Sequence, residues 1–121
     1  MKSKLITAVL LAGLTTSFSA SALPPPDEAQ RLGMQRAAAA KAKLRQAEAA
    51  VGKEQQSLMA EHMGMMKELM DKVAGMKPKA GMNAQEHQEW MSQHQILMEQ
   101  MMEQMMAEHV LMMKSCGSMH R

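Results

Sequence analysis

Apolar positions return every seven residues in two stretches of this chain. Leu44, Val51, Leu58 and Met65 form one series, and Met91, Met98, Met105 and Met112 form the other, with His87, His94 and Met101 as a neighbouring row. A seven-residue return is the spacing of a helical seam, and no alternation of β-branched residues points to strands. After Pro26 the chain is dominated by Ala, Gln, Glu, Lys, Met and Arg, all strong helix formers. The pattern predicts a first helix over residues 27–75, opened by Asp27 as N-cap behind a stiff Pro24-Pro25-Pro26 leader. Gly33, Gly52 and Gly64 weaken and bend that helix. Gly75 to Gly81, with Pro78 inside it, ends the helix and permits a turn. Asn83-Ala84-Gln85-Glu86 then reads as a capping box, and Gly117 as the C-terminal stop. The second helix is thus roughly 30 residues, about 45–50 Å long. The expected fold class is all-α: two long helices in an antiparallel hairpin, open to dimerisation because one helix pair buries little surface. The stretch AAAAKAKLRQAEAA over residues 37–50 is low in complexity and compatible with helix or with partial disorder; no chemistry is placed on it.

The first residues follow a different pattern. Lys2 and Lys4 precede an apolar run from Leu5 to Leu14, and small residues lead to Ala20-Ser21-Ala22. This order is that of a secretory signal peptide with cleavage expected after Ala22. The apolar run is too short for a permanent membrane span. The expected organisation is a signal peptide over 1–22, a Pro leader with an Ala/Lys-rich helical segment over 23–57, and a Met-rich helical hairpin over 58–121. The expected location is the periplasm.

Charge and cysteine usage narrow the function. The net charge of +2 resides in Lys2 and Lys4; without them, basic and acidic residues balance at twelve each. A nucleic-acid interface needs clustered Lys and Arg, and a membrane-surface helix needs a basic polar face. Neither pattern occurs, so no nucleic acid and no stable membrane association is expected. Cys116 is the single cysteine, which rules out an intramolecular disulfide and leaves a ligand, a reactive thiol or an intermolecular link.

Sulfur is what sets the chain apart. Of 18 methionines, sixteen lie between Met59 and Met119, with doublets at Met65-Met66, Met101-Met102, Met105-Met106 and Met112-Met113. Met is an adaptable core filler, and an apolar stripe is usually core. Yet a core made of Met is poorly specified because the side chain is flexible. On the helical wheel Ile96, Leu97, Val110 and Leu111 lie at the edges of the methionine arc. The expectation is therefore that sulfur itself has been selected.

Soft-metal binding is one use of that sulfur. Thioether, imidazole and thiolate suit Cu(I) and Ag(I), and residues three or four apart share a helix face. The candidate ligands are His62, Met66, His94, Met98, His109, Met113 and Cys116, with Trp90 beside His87 and His94 as a cation contact. The Met-x-x-His and His-x-x-Met pairs Met59/His62, His62/Met65, Met91/His94, Met106/His109 and His109/Met112 resemble those of periplasmic silver- and copper-binding proteins. Methionine density alone accounts for much of this pairing: about two His in three would meet a Met three or four residues away by chance.

Oxidation is the other use. A thioether is converted to its sulfoxide and restored by reductases. The candidate oxidisable residues are Met59, Met63, Met65, Met66, Met70, Met91, Met98, Met101, Met102, Met105, Met106, Met112, Met113 and Cys116. The near absence of aromatic residues fits a chain with little else to damage. A leader followed by Met, Glu, Gln, Lys and Ala with Met doublets is similar to the small periplasmic methionine-rich peptides that serve as substrates of a periplasmic methionine sulfoxide reductase. That resemblance implies a sink for hypochlorite or chlorite, recycled by the reductase, with no resident cofactor. Five His and Cys116 depart from a pure sink. Oxidising the Met98–Met113 stripe is expected to loosen the hairpin. No nucleophile–base constellation, Gly-rich phosphate loop or H-E-x-x-H motif occurs, so an enzyme is not expected. A chaperone-like hairpin with a Met surface is a third class.

Overall fold

A computed structural model describes residues 27–118. The expected signal segment, the Pro leader and residues 119–121 lie outside them. The chain forms α1 (Glu28–Ala49), α2 (Gly52–Ala74) and α3 (Ala84–Ser118), with no strand among the described residues. The all-α class holds. No helix among the described residues is long and apolar enough to cross a membrane.

The helix starts follow local chemistry. Asp27 Oδ1 accepts from the Gln30 amide at 2.8 Å, satisfying an N–H that the first turn leaves free. Asn83 Oδ1 accepts from the Glu86 amide at 2.8 Å. The return contact of this box runs side chain to side chain, with Asn83 Nδ2 donating to Glu86 Oε1 at 2.8 Å. The linker after Ala74 includes Gly81 at φ +84°, a conformation that suits only glycine well.

The single helix expected over 27–75 is instead two. Ala50 and Val51 are extended, and Gly52 has φ +62°. The chain therefore reverses within two residues, leaving Val51 83% exposed. Gln55 Nε2 donates to the carbonyls of Ala47 at 3.1 Å and Ala50 at 2.9 Å. One side chain thereby satisfies the Ala50 carbonyl at the end of α1 and adds a second donor at Ala47, which also accepts from the Ala50 amide at 3.2 Å.

Inter-helix contacts define an up-down-up bundle of three helices rather than a two-helix hairpin. Lys43–Glu61 at 2.8 Å and Arg36–Glu68 at 3.3 Å run α2 antiparallel to α1. Gln30 Nε2 donates to the Trp90 carbonyl at 2.9 Å and Gln104 Nε2 to the Ala37 carbonyl at 2.8 Å, which sets α3 parallel to α1. The tightest packing joins α1 and α2, and the loosest joins α2 and α3.

Each helix buries one row at spacings of three and four, with a single gap of seven between Trp90 and Leu97 on α3. Gln30, Gly33, Ala37, Ala40, Leu44 and Ala47 form it on α1, and Met59, His62, Met66, Leu69 and Val73 on α2. Trp90, Leu97, Met101, Gln104, Glu108 and Leu111 form it on α3. The low-complexity 37–50 stretch is thus helical over its first thirteen residues and supplies the small side of the core. Its small residues allow close approach: a Cβ at Gly33 would lie 2.9 Å from Leu97 Cδ2 and from Met76 Cε. Of the expected seam Leu44–Val51–Leu58–Met65, only Leu44 is fully buried; Leu58 and Met65 are half-buried.

Candidate functional site

The methionines divide by one step along the helix. Met91, Met98, Met105 and Met112 each follow a buried residue (Trp90, Leu97, Gln104 and Leu111), and all four are exposed. One residue turns a helix by about 100°, enough to carry a side chain from core to flank. Met102 follows buried Met101 and is exposed; on α2, Met63 follows His62 and Met70 follows Leu69, with the same result. Met106 and Met113 stand out farthest, at 67% and 64% exposure. The expectation that Met91–Met98–Met105–Met112 is the pairing seam is corrected, and Leu97 and Leu111 move from the edge into the core.

The flank has a definite place in the bundle. Glu61 and Glu68, each one residue before a core position of α2, pair with Lys43 and Arg36 on α1. Ala107, one residue before Glu108, packs against the cluster containing Leu44 and Ala47. Residues before the core positions therefore border α1. Those after them, the methionines, lie on the other flank of each row and face water.

Of the residues expected to be oxidisable, Met63, Met70, Met91, Met98, Met102, Met105, Met106, Met112, Met113 and Cys116 are exposed. Met65 is half-buried. Met59, Met66 and Met101 are buried. Of the Met98–Met113 stripe expected to loosen the fold on oxidation, Met98, Met102, Met105, Met106, Met112 and Met113 face water, so a sulfoxide there meets solvent, and Met101 alone is buried.

The proposed metal ligands do not converge. His62 is fully buried. Its Nδ1 contacts Glu108 Oε2, and its Nε2 lies 3.1 Å from Gln104 Oε1. Gln104 is oriented by its own donation to Ala37, so carbonyl and carboxylate oxygens face both ring nitrogens. The imidazole is therefore engaged inside the core, where polar groups must be satisfied, and has no nitrogen free for a metal. Met66 sits in the apolar cluster with Leu69 and Leu97. His94 stacks on Trp90 with centroids 5.0 Å apart and planes 11° apart. Met98 is exposed four residues after His94, and His109, Met113 and Cys116 are spaced four and three along the exposed part of α3. No group of three or more His, Cys, Asp or Glu among the described residues is placed to hold a metal.

Sequence reasoning missed this buried polar layer and the tie at the other end of the bundle, where Trp90 Nε1 donates to Asp27 Oδ2 at 2.7 Å. A signal for the layer was present: His62 falls in the three-four row of Met59, Met66, Leu69 and Val73, and Gln104 and Glu108 fall in the facing row. Polar residues at core positions on two facing helices are candidates to satisfy one another.

Comparison with family models, with curated proteins and with solved structures finds no match to this chain.

Proposed function

We propose that this is an exported, sacrificial methionine protein that scavenges hypochlorite- or chlorite-type oxidants in the periplasm. Thioethers take up one oxygen each, and a methionine sulfoxide reductase returns them. The protein is a renewed reactant rather than an enzyme and needs no resident cofactor. One observation carries the reading: the buried rows use three methionines, whereas nine others stand exposed on a helical scaffold. A stabilising core would place those side chains inward. Exposed sulfur is open to a small oxidant and to a reductase without unfolding, and its oxidation leaves no polar group buried.

The test is stepwise hypochlorite treatment of the purified protein, with oxygen additions counted by mass spectrometry, followed by a methionine sulfoxide reductase. Many oxygens should add, first at Met102, Met106 and Met113, and the reductase should remove them. Uptake confined to Cys116, or sulfoxides that no reductase restores, would defeat the proposal.

A narrower copper(I) or silver(I) reading keeps one supporting observation, the exposed His109, Met113 and Cys116 on one helix face. It requires tight, saturable binding against a strong chelator that His109→Ala abolishes and His62→Ala leaves in place. A homodimer is not required by either reading, because α1 already covers the apolar rows of α2 and α3.

A further inference from the structure

We infer that the bundle registers the exhaustion of its own surface sulfur: oxidation of the buried Met66 and Met101, with Met59, converts the folded scavenger to an unfolded state. This regulation rests on the oxidant-sink reading and adds a threshold to it.

The two methionine populations face different solvents. A sulfoxide on Met102, Met106 or Met113 projects its S–O dipole into water and costs the fold little. Met66 and Met101 are each 3% exposed and share an apolar cluster with Leu69, Val73 and Leu97. Met59, at 7%, lies in a second cluster with Leu44 and Leu111. A sulfoxide oxygen formed in either cluster needs a hydrogen-bond donor.

The polar layer joining α2 to α3 is already engaged in its own bonds. One of the two Gln104 Nε2 hydrogens is committed to the Ala37 carbonyl at 2.8 Å. Both His62 nitrogens are committed, to Gln104 Oε1 at 3.1 Å and to Glu108. A core sulfoxide must draw Gln104 or His62 out of this geometry or remain unsatisfied, and either outcome strains the tie between α2 and α3. These are the two helices that pack most loosely, so this layer and the apolar cluster that holds Met66 and Met101 are what join them.

The chemistry balances without a cofactor. Hypochlorous acid delivers one oxygen to the thioether sulfur; sulfur loses two electrons, and chlorine leaves as chloride with release of a proton. The oxidant reaches exposed sulfur directly and core sulfur only through transient local opening. Surface oxidation thus precedes core oxidation, and Met59 precedes Met66 and Met101. Once the core trio is oxidised the bundle opens, which also brings its sulfoxides within reach of a reductase.

Stepwise hypochlorite treatment of the full chain, followed by peptide-level mass spectrometry and far-ultraviolet circular dichroism at each step, tests this directly. Helix should persist while Met102, Met106 and Met113 become sulfoxides and be lost when Met66 and Met101 do. The variant Met59→Leu/Met66→Leu/Met101→Leu conserves apolar volume and should stay helical with every remaining methionine oxidised. The single variants Met66→Leu and Met101→Leu should each move the loss of helix to a higher dose, which gives a reading independent of the triple variant. Met102→Leu/Met106→Leu/Met113→Leu should take up fewer oxygens and still lose helix. Persistence of helix in the wild type with Met66 and Met101 oxidised, or its loss before they are, would overturn the inference. So would loss of helix at the wild-type dose in the core variants. The readout is helix content, whereas the sink reading fails on absent repair, so the two failures are distinguishable.

Discussion

Two rows of α3, one residue apart, have opposite fates. Trp90, Leu97, Gln104 and Leu111 are buried, and Met91, Met98, Met105 and Met112 are exposed. Both repeat every seven residues, and both are mostly apolar. The difference teaches that a heptad repeat sets spacing and not phase. Inward orientation went to the row that meets the small face of α1 and the His62 layer of α2. The more numerous sulfur atoms were left outside.

Three sets of substitutions would break or sharpen that comparison. His62→Ala should have the largest effect, because it strands Glu108 and Gln104 inside the bundle. Each buried polar group left without its partner costs about 1–3 kcal/mol, and with two stranded and a cavity opened urea denaturation should show a markedly lower midpoint. Leu97→Ala against Met98→Ala is the most direct contrast between the rows. Leu97 is fully buried, so its truncation should cost about 3 kcal/mol through lost transfer and cavity terms. Met98→Ala, on the exposed row, should change stability by no more than about 0.5 kcal/mol. Equal losses at the two positions would show that the phase assignment is wrong. Gly52→Ala probes the connection that brings α1 into the bundle. A left-handed conformation costs an L-residue about 1–2 kcal/mol, and thermal unfolding should record a loss of that order. An unchanged or higher midpoint would mean that the turn at Ala50 and Val51 does not need φ +62°.

Parts of the fold were legible because their causes are local. Asp27 and Asn83 cap α1 and α3 through hydrogen bonds to residues three positions on, and the Gly75–Gly81 linker stops α2 with Pro and Gly. The break at Ala50 and Val51 was not legible. Gly33, Gly52 and Gly64 offered equal grounds for a bend, and only packing distinguished them. Gly33 lies against Leu97, Gly64 continues a helix, and Gly52 alone turns left-handed. The Ala-rich stretch hid its core row because alanines also occupy its solvent positions. The core role of His62 was not legible because its partners, Gln104 and Glu108, lie 42 and 46 residues away.

The sequence by itself determined that the described chain is helical, where α3 starts, and that sulfur is dense along α2 and α3. These follow from propensity, capping and composition, which act within a few residues. Only the tertiary structure decided which methionines meet water and that one imidazole is locked in the core. Those outcomes depend on the rotation of each helix about its axis. That rotation is set by which face finds a complementary partner, and a repeat shared by two adjacent rows cannot encode it.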